Sequence, residues 1–175
     1  MNYTIKQGKH NSNLFIPQRL WLGYGVYHIS FSFKFLNNPC YEFGTEDDWD
    51  INKMLGVSFG KHHDNSFRIG WRPASLDQVS LHTYWYNNGR RYDNFLYIIN
   101  HGTEVVGNIE MDRYSGEIKT KLFVGGNIIK DTTEFDFEGV SMWSYKLFPY
   151  FGGNRVATHD MKIHMDMNIH CKVVI

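Results

Sequence analysis

Basic, aromatic and histidine side chains alternate with large apolar residues along two nearby segments. Arg68 and Arg72 lie in the first segment, and His82, Tyr84 and Tyr86 lie in the second. Successive side chains of a strand point to opposite faces, so these five residues share a face if the apolar ones turn to the core. Sugars bind to aromatic platforms flanked by hydrogen-bonding groups. The pattern predicts a ligand-binding face with Tyr84 and Tyr86 as its platform, or else an ordinary sheet surface on which Arg68 is packed and paired.

A predicted turn just before Arg68 carries His62, His63 and Asn65. Loops on a rigid scaffold often present functional side chains, so both ligand contact and hydrogen bonding within the loop fit this pattern. Adjacent histidines on an extended chain point to opposite sides and could share a metal ion only if the backbone bends. We include the three residues in the candidate binding site and expect no metal there.

Arg90 follows Asn87-Asn88-Gly89, a sequence typical of a tight hairpin turn, and completes the candidate binding set. Together with Arg68, Arg72 and Arg91, it suggests an alternative ligand, a small intracellular molecule that bears phosphate. Guanidinium groups bind phosphate through paired hydrogen bonds, although arginines beside a hairpin are often merely solvated.

Tyr150, Asn154 and His159 are weaker candidates for ligand contact, because they flank Gly152 and Gly153. Paired glycines permit positive φ or a close backbone approach. This segment therefore favours a structural turn.

A catalytic alternative comes from His28 with Ser30 and from His101 with Thr103, which look like the two H-x-[ST] motifs of two-histidine phosphoesterases. One histidine would act as base and the other as acid. The helices of such enzymes are not predicted, and no carboxylate pair typical of a glycosidase stands out. The sequence favours a protein without catalytic activity.

Oxygen ligands for calcium occur at 46–50, without the spacing of an EF-hand loop. We expect no cofactor, with Ca²⁺ as the alternative and a solvated acidic turn as the simpler interpretation. Cys40 and Cys171 lie far apart without metal-ligand spacing, which indicates structural thiols or a reducing compartment.

The elements that position these residues are strands. Period-2 alternation predicts strands at 27–35, 66–72, 79–86, 110–113, 117–124, around 128–129, around 135–137 and from 161 to 173. Only 46–55 could hold a short helix. About ten strands separated by turns predict a sandwich or a barrel.

Composition and charge exclude some classes of function. The chain has 175 residues, 18 basic against 18 acidic side chains, and 17% aromatic residues, which describes one domain spanning 1–175. Zero net charge removes the attraction that nucleic-acid and membrane-surface binders use, so neither partner is expected. The start lacks a signal peptide and no segment is apolar enough to span a membrane, so a cytoplasmic or virion-associated protein is expected.

Three stretches, 53–72, 84–90 and 147–163, resemble a group of small bacterial and phage proteins that look like concanavalin-like jelly rolls. The resemblance covers about 25–170 and implies an all-β sandwich of two antiparallel sheets. Such sandwiches include lectins, glycan-binding modules, glycan hydrolases and phage structural proteins, so the function is argued from the candidate residues, which favour a lectin-like module that binds a glycan without catalysis. The alternative is a virion structural or accessory protein that contacts another protein or forms a homo-oligomer.

Overall fold

Twelve strands form two six-stranded antiparallel sheets in the computed structural model, which describes residues 1–13 and 18–172, with side chains through 170. The first sheet runs in the order β1 (Asn2–Ile5), β12 (Met161–Lys172), β3 (Val26–Phe35), β8 (Val105–Asp112), β9 (Glu117–Val124) and β10 (Asn127–Glu134). The second sheet runs in the order β2 (Arg19–Trp21), β11 (Trp143–Leu147), β4 (Asn52–Phe59), β5 (Ser66–Pro73), β6 (Gln78–Asn87) and β7 (Arg90–Asn100). The predicted all-β sandwich is confirmed.

The core lies between the inner faces of the two sheets. Alternate residues of β3 are buried, as the sequence pattern predicts, and so are Phe67, Ile69 and Trp71 on β5. Phe35 on β3 packs edge-on against Trp71 with ring centroids 5.0 Å apart, which joins the two sheets directly. Burial of such rings contributes much of the free energy that stabilises the sandwich. With these apolar residues inward, Arg68 and Arg72 must face outward.

Two sequence predictions of local structure need correction. Phe135 and Phe137 are not in a strand: they lie in the segment after β10, where their buried rings pack against Phe59. The alternating phenylalanines in this segment therefore reflect the burial of two rings and not a strand. The region predicted as a helix contains only a 3-10 turn, Glu46–Trp49, because β4 begins at Asn52.

The other predicted strands and hairpin turns are present, but β8 begins five residues before the predicted start at Glu110, and β10 extends from Asn127 to Glu134. Asn88 and Gly89 have φ values of 51° and 76° and connect β6 to β7, as expected for this hairpin sequence. The strand predicted from 161 to 173 is β12 through Lys172, which pairs with β1 and β3, and residue 173 lies outside the described residues. None of the helical segments among the described residues is long and apolar enough to cross a membrane.

Candidate functional site

On the outer face of the second sheet, β4 and β5 each carry a glycine, Gly56 and Gly70, where other strand positions carry side chains. A Cβ at Gly56 on β4 would lie 2.2 Å from the carbonyl oxygen of Phe67 and 3.0 Å from Cγ of Arg68. A Cβ at Gly70 on β5 would lie 2.4 Å from Cγ2 of Ile51. Side chains at these positions would not fit, so larger residues surround them instead and Arg68 occupies the space beside Gly56.

A cavity of about 570 Å³ opens on this face. We call it the outer-face pocket. Its polar lining consists mainly of three cationic side chains, two histidines and four tyrosines: Lys53, Arg68, Arg91, His62, His63, Tyr84, Tyr86, Tyr145 and Tyr150. Asp50 is the carboxylate in the lining. With Lys53 protonated and Asp50 ionised, the three cations and the carboxylate sum to a net charge of +2, not counting the histidines.

Arg68 is the central cation of the pocket. It projects from β5, opposite Tyr84 on β6, and only 6% of its surface is exposed. Its Nε has no hydrogen-bond partner, and no described residue accepts a hydrogen bond from its guanidinium or forms an ion pair with it. Burial lowers its pKa, and the phenol groups of Tyr84 and Tyr145 oppose that shift. A buried, unpaired guanidinium costs free energy unless a ligand supplies the acceptor.

Lys53 on β4 adds a second, half-buried cation. Burial, followed by repulsion from Arg68, lowers its pKa to about 8, and Asp50 only partly offsets these effects. Its Nζ lies 4.7 Å from the centroid of the Tyr84 ring. Backbone hydrogen bonds of 2.9 Å in both directions connect Lys53 to Tyr150 on the opposite rim. The pocket thus concentrates positive charge in a partly desolvated space.

The two adjacent histidines sit at one end of the pocket. His62 Nδ1 lies 3.2 Å from the hydroxyl of Tyr145, and the His63 ring contacts the Tyr86 ring edge-on at 5.3 Å. Burial, then repulsion from Arg68, lowers the pKa of His62 to about 4, so its imidazole is neutral at pH 7. The backbone bends enough to bring both rings, 4.2 Å apart, to the same rim.

Tyr84 and Tyr86 line the pocket wall, with ring centroids 5.8 Å apart. The expectation of an exposed platform is wrong for Tyr84, whose surface is only 4% exposed. Burial and the hydrogen bond to Tyr86 raise the pKa of its phenol. Tyr86 is half-buried and so is more exposed than Tyr84.

Arg72 and His82 share the predicted face but lie outside the pocket. Arg72 stacks over the Trp49 ring at 4.9 Å and donates to the Trp49 carbonyl at 3.1 Å. His82 Nε2 lies 3.0 Å from the Ser80 hydroxyl, and Asp93 is 3.7 Å from Nδ1. Burial, then repulsion from Arg72, lowers the pKa of His82 to about 4, so the contact with Asp93 is not an ion pair at pH 7.

Asn65 and Arg90 also lie outside the pocket. The Asn65 side-chain oxygen accepts hydrogen bonds from the Asn88 backbone N–H at 2.9 Å and from the Asn87 amide at 3.3 Å. Asn65 therefore stabilises the β6–β7 hairpin, consistent with the predicted loop hydrogen bonding. Arg90 is exposed at the start of β7.

The four residues of the phosphoesterase alternative lie apart. His28 and Ser30 are on β3 of the first sheet, whereas His101 and Thr103 follow β7 at an edge of the second sheet. His28 approaches Glu110 at 3.7 Å, and His101 contacts the carbonyl of Asp77. None of the four lines the outer-face pocket.

Two carboxylates of the acidic segment 46–50, those of Asp47 and Asp48, bind to other groups of the protein. Asp48 accepts hydrogen bonds from the backbone N–H groups of Phe43 and Gly44, and Asp47 pairs with Arg155 at 2.8 Å. In the part of the chain that the structure describes, no three His, Cys, Asp or Glu side chains group as metal ligands. Burial raises the pKa of the Cys40 thiol to about 11, and the side chain of Cys171 lies outside the described residues.

Several lining residues were missed or given little weight by sequence reasoning. Lys53 belongs to a strand buried on both faces, which shows no alternation, and Tyr145 belongs to a short strand far along the chain. Alternation of Trp143, Tyr145 and Leu147 with polar neighbours was the available signal for the latter. Tyr150 and Asn154, interpreted as parts of a turn, line the pocket as well.

Comparison with known proteins gives a structural likeness only. No family model and no curated protein sequence matches the chain. An exolytic family-7 alginate lyase from Zobellia galactanivorans matches with a TM-score of 0.61 and 12% identity, covering 88% of this chain and 76% of the lyase. Alginate lyase A1-II' of the same family gives 0.53 and 12%, covering 86% of this chain and 64% of that one.

A basic winged bean lectin, solved with Tn-antigen, gives a TM-score of 0.54 at 7% identity and covers 98% of this chain and 99% of the lectin. The fold is a jelly-roll sandwich. At these identities the likeness extends to the fold alone, and this chain spans less than two thirds of the length of alginate lyase A1-II'.

Proposed function

We propose that this protein binds an acidic glycan, one that bears carboxylate groups, in the outer-face pocket. The observation that carries the proposal is the buried guanidinium of Arg68, which has no acceptor among the described residues. A carboxylate matches the forked geometry of a guanidinium and would form two charge-assisted hydrogen bonds with it. Lys53 and Arg91 would add attraction from the same pocket.

Tyrosine rings and hydroxyls favour a sugar over other carboxylates. Tyr84, Tyr86, Tyr145 and Tyr150 place flat apolar surface and hydrogen-bonding oxygens around the cations. Sugar rings present C–H faces and hydroxyl groups that match such walls. The structural neighbours include a lectin solved with a sugar antigen and lyases named for alginate, a polymer of uronate sugars. This comparison supports the choice of uronates as the glycan class.

The test is calorimetric titration with alginate-derived oligosaccharides and with neutral gluco-oligosaccharides of equal length. We expect the uronates to bind more tightly, with an affinity that falls as salt rises. Arg68→Ala should weaken binding by more than ~30-fold, because it removes the buried partner of the ligand charge. The matched control is Arg72→Ala, which removes an arginine from the same face of β5 outside the pocket. It should leave the affinity unchanged.

Three outcomes would contradict acidic-glycan binding. Equal affinity for neutral and acidic sugars would show that Arg68 does not bind a ligand carboxylate. Tight binding of nucleotides but not of uronates would favour the phosphate-bearing ligand. Failure to bind any sugar, together with stable self-association of the protein, would favour the structural alternative.

A second function, cleavage of the bound glycan by β-elimination, is favoured by the contact between His62 and Tyr145. If His62 Nδ1–H donates to the tyrosine oxygen, Nε2 keeps its lone pair and can remove the proton at C5 of a uronate. The C5–H electrons form a C4–C5 double bond, the C4–O bond breaks, and Tyr145 donates its proton to the leaving oxygen. Imidazolium and tyrosinate then exchange a proton and become neutral again.

The low pKa of His62 suits this role only once a ligand is bound. Burial is the largest cause of that pKa of about 4, and repulsion from the charges of Arg68 and Lys53 lowers it further. A bound carboxylate would offset those charges and make the imidazole more basic. One alginate lyase of the same fold was solved with substrate in a variant with a histidine replaced by asparagine and a tyrosine by phenylalanine.

Ultraviolet absorbance of the conjugated product distinguishes cleavage from binding. If elimination occurs, absorbance should rise with time on polyuronate, and His62→Gln and Tyr145→Phe should each stop the rise while the affinity changes less than about threefold. Bound polyuronate that yields no unsaturated product would show that the pocket binds without catalysis.

A further inference from the structure

Two tryptophans on adjacent strands of the second sheet are exposed side by side. Trp21 on β2 lies directly opposite Trp143 on β11, and their ring centroids are 4.9 Å apart at an interplanar angle of 80°. Their surfaces are 57% and 60% exposed. Large aromatic rings left together in water mark a binding surface more often than isolated ones do. We call these two residues the tryptophan pair.

Strand geometry places the tryptophan pair next to the outer-face pocket. Trp143 and Tyr145 are two residues apart on β11, so both side chains leave the same face of the sheet, about 7 Å apart along the strand. Tyr145 lines the pocket and contacts His62. On β2, Trp21 and Arg19 are likewise two residues apart and share that face, and Arg19 lies opposite Tyr145. The pair therefore extends the pocket toward the edge of the sheet.

We propose that the tryptophan pair is a second sugar-binding subsite, which stacks against residues of an acidic glycan that extend beyond the outer-face pocket. This inference rests on the proposed glycan-binding function. Indole rings bind the C–H faces of sugars, and the perpendicular arrangement offers one ring face and one ring edge. Arg19, adjacent on the same face, supplies a positive charge for the next uronate carboxylate.

Continuity with the pocket favours a glycan over a second copy of the chain. The exposed edge here is β2, a strand of only three residues, Arg19–Trp21. A stable protein interface usually buries about 800 Å² on each partner, far more than two rings present. A linear ligand that is already held in the pocket needs only a narrow adjoining surface.

The experiment compares affinity against chain length. Alginate-derived oligosaccharides from two to eight sugars are titrated into the wild-type protein and into Trp143→Ala and Trp21→Ala. For the wild type, affinity should rise with length until the glycan spans both sites. Each variant should lose about tenfold for the longest oligosaccharide and less than twofold for the disaccharide. Tyr114→Ala, which removes another exposed, stacked aromatic residue outside the pocket, is the matched control and should have no effect.

The length dependence separates failure of this inference from failure of the proposed function. If Arg68→Ala abolishes binding but the tryptophan variants bind all lengths like the wild type, the pocket stands and the second subsite is refuted. If no uronate of any length binds, the proposed function itself fails. Sedimentation of the same samples provides another test, because a wild-type dimer that Trp143→Ala converts to monomer would identify the tryptophan pair as a subunit contact.

Discussion

Two buried arginines, Arg113 just after a strand of the first sheet and Arg68 within the second sheet, differ in their hydrogen bonds. Arg113 follows β8 at the end of the first sheet, is 4% exposed, and donates to the carbonyl oxygens of Leu22, Val140 and Ser141 at 2.7, 3.0 and 3.3 Å. Arg68, 6% exposed on the second sheet, has no such acceptors in the described chain. Arg113 and Arg68 are therefore similarly buried but differ greatly in hydrogen bonding.

The difference indicates which arginine serves stability and which serves binding. The guanidinium of Arg113 also packs over the ring of Phe137 at 4.9 Å, so it connects three loop carbonyls to the core. Burial desolvates Arg68 as well, without that compensation, and repulsion from Lys53 adds to the cost. Residues kept at a cost to stability are expected at functional sites.

The largest expected effect comes from removing the well-bonded arginine. Arg113→Ala should lower the free energy of unfolding by about 3 kcal/mol, because the carbonyls of Leu22, Val140 and Ser141 lose a charged donor and a void is left. Equilibrium urea unfolding measures the change. Lys119→Ala, at an exposed lysine on β9 of the first sheet, is the control and should leave the midpoint unchanged. A loss below about 1 kcal/mol for Arg113→Ala would contradict its structural role.

Replacement of the unpaired arginine should act in the other direction. Arg68→Met keeps much of the side-chain volume and removes an uncompensated buried charge, so the free energy of unfolding should rise by about 1 kcal/mol or stay constant. The same variant should no longer bind polyuronate. The urea measurement applies again, and a destabilisation as large as that of Arg113→Ala would show that both arginines are structural.

A smaller effect should appear in the pH dependence of binding. With a pKa of about 8, Lys53 is about 90% charged at pH 7 and about 10% charged at pH 9. Affinity for polyuronate should therefore fall several-fold between these pH values. Lys53→Arg keeps its charge throughout and should give a flat profile. Calorimetry at both pH values tests this, and an unchanged wild-type affinity would exclude Lys53 from the binding site.

A further effect concerns the acid stability of the second sheet. The pKa values of His62 and His82 are about 4 in the folded protein, below the usual value of about 6.5 in an unfolded chain. The unfolded state therefore takes up protons first, and the stability present above pH 6.5 is lost as pH falls toward 4. Melting temperature against pH should show this decline. His82→Gln should make the slope shallower, whereas a parallel curve would assign the decline to other groups.

Part of the candidate site was predictable from the sequence. Alternation along β5 and β6 placed Arg68, Tyr84 and Tyr86 on one face, and the strands confirm that arrangement. The same alternation could not distinguish Arg72 and His82, which share the face but lie outside the pocket. Strand parity identifies a face, whereas a cavity on that face depends on which neighbouring side chains stand around it.

The sequence by itself determined the all-β class, the inward and outward residues of the regular strands, and the hairpin at Asn88 and Gly89, because each depends on neighbours within a few residues. Only the tertiary structure decided that Tyr145 lies against His62 and Tyr150 against Lys53. Those contacts require β11 to pair with β4 across some 90 residues of chain, and pairing at that separation follows from the packing of both sheets around one core.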